Sequence, residues 1–209
     1  AVVTGGYDLV GDDYDGFTPA VPDANPQDCD GHGTHVAGTA AGRGVLADGS
    51  TYDGPYDAST ADEDLAVGPG MAPGAELLAY RVFGCTGSTL FSAAAVDMAT
   101  DPNGDGDFSD AADVVNLSLG SDFGNLLDAD SLVADEASRL GVTVVAANGN
   151  AGDVTQVGGS PGASTRTLAV ASSVDPVSVV DGLVVTDPAS VAGTYAASRS
   201  LDFTWSPSG

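Results

Sequence analysis

Between residues 75 and 147, three apolar runs, AELLAYRVF (75–83), VVNLSLG (114–120) and VTVVAA (142–147), alternate with two stretches of helical spacing. The intervening stretches are STLFSAAAVDMA (88–99), read with a serine cap, and LLDADSLVADEASRLG (126–141), an amphipathic helix ending in glycine. Strands separated by helices through short turns return by crossover and lie parallel, buried on both faces. The alternation predicts an α/β fold of three layers: a mainly parallel sheet, helices on both faces, and ligand sites at the carboxyl ends of the strands. Two such ends are SLGS and ANGNAG.

The flanks are less regular. Residues 1–30 carry GGYDLVGDDYDG and PDANPQD, a long surface loop with room for one short strand. The run VAGTAAG (36–42) suits a helix packed very close to a sheet, and 43–70 is loop again. After TLAVASS (167–173) the pattern turns to short β-like runs, SVVDGLVVT and SLDFTW, with no helix between them. A boundary near Val177 separates residues 1–176 from a β-rich segment, 177–209. Ala1 opens without a cap or turn and Gly209 follows a strand-like run, so both ends read as cut.

Thirty acidic residues against five arginines and no lysine give a formal charge of −25. Such a chain repels nucleic acid and anionic lipid, and its self-repulsion calls for salt or bound cations. No apolar run reaches the roughly eighteen residues of a membrane span, and no signal peptide opens the chain.

Both histidines lie in CDGHGTHVAG (29–38). Cys29, His32 and His35 can be read as zinc ligands, yet the histidines are three apart rather than four and no glutamate stands between them. The alternative is a general base. Gly31 and Gly33 let the chain turn sharply into a helix, placing His32 where the helix dipole favours a neutral imidazole. His35, one turn on, then packs or hydrogen-bonds as a structural residue.

With GHGTHVAG stand GPGMAPGAELLAYRVFGCTGST, VVNLSLGS and VVAANGNAG, and these four motifs, in this order and spacing, resemble the subtilisin-like serine proteases, the subtilase family. The opening segment and DPNGDGDFSD are similar to large secreted bacterial members with a protease-associated β domain inserted before the nucleophile. The resemblance implies a subtilisin-like fold, incomplete at both ends, with 177–209 starting the inserted domain. It implies that His32 is the general base and that the Asn150 side-chain amide donates to the oxyanion, a donor worth about 3 to 4 kcal/mol in the transition state. Ser118, Leu119 and Gly120 match one substrate-binding strand and wall of the S1 pocket, and Gly87, Ser88 and Thr89 the opposite strand. A polypeptide substrate would be gripped between them in extended form. An extracellular monomer is implied, its signal peptide lying outside these residues.

Two family motifs do not occur in the 209 residues: the D-[ST]-G turn with the catalytic aspartate, and G-T-S-M-A-x-P with the nucleophile. Asp8, in YDL, is a decoy, since the resemblance places the GGYD segment downstream of the true aspartate. The chain by itself is therefore expected to lack hydrolytic activity. GGSPG (158–162) offers a rival, the G-x-S-x-G elbow of an esterase with Ser160 as nucleophile. The residue after that serine must give its N–H to the oxyanion; here it is Pro161, which has none. A third reading keeps the fold as a non-catalytic peptide-binding module.

Asp101, Asn103, Asp105 and Asp107, with Gly106 at the turn, match the first half of an EF-hand loop and suggest structural Ca2+. Position twelve is Ala112 rather than glutamate; Asp110 or Asp113 can substitute, and a solvated turn is the alternative. Cys29 and Cys85 are 56 apart. The fold implied by the resemblance puts both beside the substrate cleft, so a Cys29–Cys85 disulfide is expected, worth roughly 4 kcal/mol in a chain-entropy model.

Overall fold

The computed structural model describes residues 2–173 and 181–197. The chain divides into two units, Ala1–Ala171 and Ser172–Gly209. The boundary expected near Val177 and the run SLDFTW lie outside the described residues.

The first unit carries two parallel sheets. In one, β1 (Val3–Asp8) pairs with β4 (Leu77–Arg81). In the other, β5 (Val114–Leu117), β6 (Thr143–Ala147) and β7 (Leu168–Val170) lie in that order. The parallel pairing of β5 with β6 follows from the crossover through α3 (Ala129–Arg139), while α2 (Ser92–Thr100) lies between β4 and β5, which belong to different sheets. Burial alternates along β5 and β6, so Val115, Leu117, Val144 and Ala146 face a core shared with Val96 and Ala99 of α2 and Ala134 and Ala137 of α3. Each buried valine or leucine contributes about 1.5 to 3 kcal/mol. A second cluster, Leu9, Val10, Tyr14, Val82 and Ala95, joins the first through Tyr80 and Leu119, which pack on both.

Helix ends are tied by side chains. Asp128 caps α3 by accepting from the Ser131 N–H at 2.8 Å, and Gly141, at φ 105°, follows the helix. The expected serine cap of α2 is corrected: the cap position is Phe91, which supplies no side-chain bond, and the Ser92 hydroxyl donates instead to Asp130 at 2.7 Å.

α1 (His32–Ala41) also departs from expectation. Of its residues only Ala41 is buried, so VAGTAAG does not bury a face against a sheet. What meets it is backbone: the N–H groups of Gly70, Met71 and Ala72 donate to the carbonyls of Gly42, Thr39 and Ala40 at 2.7 to 3.0 Å. The small side chains permit this close approach, in which the N–H groups of residues 70–72 satisfy orphan carbonyls at the helix end. Within the 43–70 loop, β2 (Val45–Leu46) and β3 (Leu65–Val67) form a short antiparallel pair.

In the second unit β8 (Asp181–Val185) and β9 (Gly193–Ala197) form an antiparallel hairpin in register Leu183 to Tyr195. Among the described residues no helix is long and apolar enough to cross a membrane.

Candidate active site

The residue that shapes the His32 turn is Asp28. Its carboxylate accepts from the N–H groups of Asp30, Gly31 and Thr34 at 2.8 to 3.1 Å and from the Thr34 hydroxyl at 2.9 Å. Burial pushes this carboxyl up, but the donors from Thr34, Gly31 and Asp30 outweigh it and hold the pKa down to about 2. Asp28 thus caps α1 from outside the usual cap position. Gly31, the residue at that position, sits at φ 100°, a left-handed turn that glycine adopts without strain. His32 then opens the helix with its side chain exposed. His35 is exposed as well, so its expected packed or hydrogen-bonded role is not what the structure shows.

Cys29 and Cys85 are joined by a disulfide with Cα atoms 5.2 Å apart. The bond brings the His32 turn beside the loop that carries Gly87, Ser88 and Thr89. That loop runs along residues 12–15: the Cys85 N–H donates to Asp12 at 3.0 Å and the Ser88 N–H to Asp15 at 3.1 Å. Thr89 accepts from the Phe91 N–H at 3.1 Å. Below it, Asp8 is buried, accepts from the N–H groups of Val10 and Gly11 at 2.8 Å, and pairs with Arg81 at 3.0 Å. Asp8 is a strut at the end of β1 and contacts neither histidine.

The other two segments leave neighbouring parallel strands. Leu117 and Ala146 are in register, so Ser118–Leu119–Gly120 and Asn150 both follow the carboxyl ends of paired strands β5 and β6. Gly120 has φ 159°, and a Cβ there would meet the Ser160 carbonyl oxygen at 2.5 Å. Ser121 and Ser160 exchange backbone hydrogen bonds at 3.0 Å, seating the 118–121 segment on the 157–160 turn. Ser118 is exposed and accepts from the Asn116 amide at 3.0 Å, while Leu119 is half-buried. Asn150 is exposed, and its side chain makes no hydrogen bond among the described residues. No hydrogen bond joins His32 to Asn150 among the described residues.

Ser160 is not a nucleophile. It is 1 % exposed; its hydroxyl donates to Asp128 and accepts from the Asn125 N–H at 3.0 Å. Burial raises the Asp128 pKa, but the hydrogen bonds from Ser160, Ser131 and Asn125 outweigh it and leave it below the ordinary value. This buried Ser160–Asp128–Ser131 network ties the turn to the start of α3. The zinc reading also fails, because Cys29 is bonded to Cys85 and so offers no thiolate.

In the 101–110 loop Asp101 accepts from the N–H groups of Gly104, Asp105 and Gly106, Asn103 from that of Asp105, Asp105 from that of Asp107, and Asp107 from that of Ser109. Asp110 lies in the short 3-10 turn Phe108–Asp110. No three carboxylates of this loop converge within 4.8 Å; among the described residues, Asp12, Cys29 and Cys85 do.

Comparison with known proteins matches residues 9–205 to the model of the subtilase family, Peptidase S8. The minor extracellular protease Vpr of Bacillus subtilis (strain 168) is 37% identical over 174 residues, covering 82% of this chain and 18% of Vpr. Subtilisin of Bacillus sp. (strain TA39) is 37% identical over 148 residues, covering 69% of this chain and 30% of that protein. The chain thus spans less than a third of either relative. The solved structure of sphericase is similar at a TM-score of 0.53 and 27% identity, covering 91% of this chain and 50% of that one. With the family match spanning most of the chain, the chain belongs to the subtilase family.

Proposed function

We propose that the protein carrying this chain is a secreted serine-type endopeptidase. The observation that carries the reading is the pairing of β5 with β6, which puts the substrate-strand segment 118–120 and the unbonded Asn150 amide at adjacent strand ends. A polypeptide lies extended between Gly87–Thr89 and Ser118–Gly120, adding a strand to each. His32 takes the proton from the attacking serine and delivers it to the leaving amine. The Asn150 amide donates to the carbonyl oxygen as it becomes an oxyanion. The serine and the aspartate that orients His32 come from parts of the protein other than these 209 residues. Extracellular action accords with the names of the relatives, and a monomer suffices for every role assigned. The second unit, with its antiparallel hairpin, is the start of an inserted β-rich domain of the protease-associated kind.

Ca2+ at the 101–110 loop belongs to the same reading. The N–H bonds that fold the loop leave carboxylate lone pairs on Asp101, Asn103 offers its amide oxygen, and Asp105, Asp107 and Asp110 supply further oxygens.

The test is a peptide amide assayed with the full-length protein and its Asn150→Ala variant. The expected kcat falls roughly 10²- to 10³-fold with KM little changed, the size such a donor has in subtilisin itself. An unchanged kcat removes Asn150 from the oxyanion hole. Peptide binding without hydrolysis by the unaltered protein would identify a binding module instead.

A further inference from the structure

The segment that carries His32 is weakly joined to the rest of its unit. Among the described residues, hydrogen bonds made by residues 24–35 stay within residues 23–39, apart from one contact of Arg81 with Cys29. α1 buries only Ala41. The Cys29–Cys85 bond is therefore the principal tie between the His32 turn and the end of β4.

We propose that this disulfide is a reducible latch, opened by a dithiol reductant, whose state sets the order of residues 29–36. Cys29 is exposed, so a thiolate can reach its Sγ. The Arg81 guanidinium lies against both sulfurs, with Nη2 at 2.9 Å from the Cys29 Sγ and 3.9 Å from the Cys85 Sγ. Its Nη1 is held by Asp8 at 3.0 Å and Asp12 at 2.6 Å, and Nε donates to the Phe83 carbonyl at 2.9 Å, so the charge is fixed in place. A guanidinium N–H aimed at a sulfur stabilises the thiolate that leaves and makes it the better leaving group. Asp12 also comes close to both sulfurs and, with Asp8, shares the Arg81 charge, so what the guanidinium offers a leaving sulfur is the directed Nη2 donor rather than a net positive charge.

In the first step a thiolate of the dithiol attacks the Cys29 Sγ, the S–S bond breaks, and Cys85 leaves as a thiolate beside Arg81. The second thiolate of the reductant then attacks the mixed disulfide and Cys29 leaves. The reductant ends as a disulfide, the protein holds two reduced sulfurs, and the two protons of the dithiol balance them. The His32 turn then keeps the Asp28 cap, which is internal to the segment and moves with it, and is otherwise tied through the far end of α1, where the N–H groups of Gly70, Met71 and Ala72 hold the carbonyls of Gly42, Thr39 and Ala40. The consequence for catalysis, loss of a positioned base, rests on the endopeptidase reading; the latch itself does not.

The test combines thiol trapping with hydrogen exchange in the intact protein without denaturant. Millimolar dithiothreitol is expected to expose two alkylatable thiols and to raise exchange of residues 29–36 on the order of tenfold, while β6 stays protected. A Cys29→Ser, Cys85→Ser double variant should show the same profile without reductant. Thiols that appear only when β6 also exchanges would overturn the latch, as would unchanged exchange at 29–36 after reduction. Because exchange needs no hydrolysis, failure here leaves the peptidase assay unaffected, and an inactive protein leaves the latch standing.

Discussion

The sheet β5–β6–β7 with α2 and α3 and the turn that carries His32 belong to one unit but are held by different forces. The first is a core: Val96, Val115, Leu117, Ala134, Val142 and Val144 are all at most 9 % exposed and stack helix on sheet. The second has little burial; a carboxylate, a glycine turn and a disulfide set its shape. The difference teaches that the residues proposed for subtilase chemistry are positioned in two ways. Asn150 and Ser118–Gly120 inherit the rigidity of strand ends, whereas His32 depends on local polar bonds and one covalent link. Rigid packing transmits a mutation across the whole unit, and a polar cap confines it to one turn.

Substitutions separate the two regimes. Val144→Ala, in the middle of the core, is expected to cost about 2 kcal/mol in urea unfolding, since the cavity it leaves is enclosed by α3 and β5. Asp28→Ala should cost less, about 1 kcal/mol, and its effect should show as faster exchange over 31–35 with β6 unaltered. Acid gives the same contrast without mutation. The Asp28 pKa is held to about 2 in the folded protein, below the ordinary 3.8, because its hydrogen bonds outweigh the opposing effect of burial. Its contribution is complete above the unfolded value and lost as pH falls from about 4 towards 2. Exchange at 31–35 should therefore rise over that window and not between pH 8 and 5. A global loss of structure in Asp28→Ala would erase the distinction between the regions. The smallest effect is that of calcium: millimolar Ca2+ should raise the melting temperature by roughly 2 to 4 °C and a chelator should reverse it. Melting indifferent to calcium and to salt would leave 101–110 as a solvated turn.

How much of this the sequence disclosed follows the same division. α3 and β6 were legible because amphipathic periodicity, a terminal glycine and the apolar run that follows agree over 126–147, whereas the Asp128 cap emerged only in the structure. The motifs around His32 and Asn150 were legible as those of the subtilase family, which the match over residues 9–205 bears out. The cap on α1 was not, because Asp28 stands outside the position where a cap is sought; the Asx-turn spacing from Asp28 to Gly31 was the available signal. Nor was the Ser160 network, which joins residues 32 apart in the chain and so leaves no local pattern. α1 was expected to pack on a sheet because its residues are small, but smallness records close approach of any kind, and here backbone from 70–72 approaches. The pair β2–β3 is only two and three residues long, too short for alternation to register.

The most direct test of the account is the kcat/KM of the full-length protein carrying His32→Ala, measured with its thermal unfolding. The His32 side chain is exposed and makes no hydrogen bond among the described residues, so its removal should cost the full-length protein no more than the one bond to the orienting aspartate and leave it folded at the assay temperature. Peptide hydrolysis should nonetheless fall by roughly 10⁴-fold or more, as loss of a triad member does. Hydrolysis that survives the substitution, or a loss matched by unfolding, would contradict the assignment of His32 as the base.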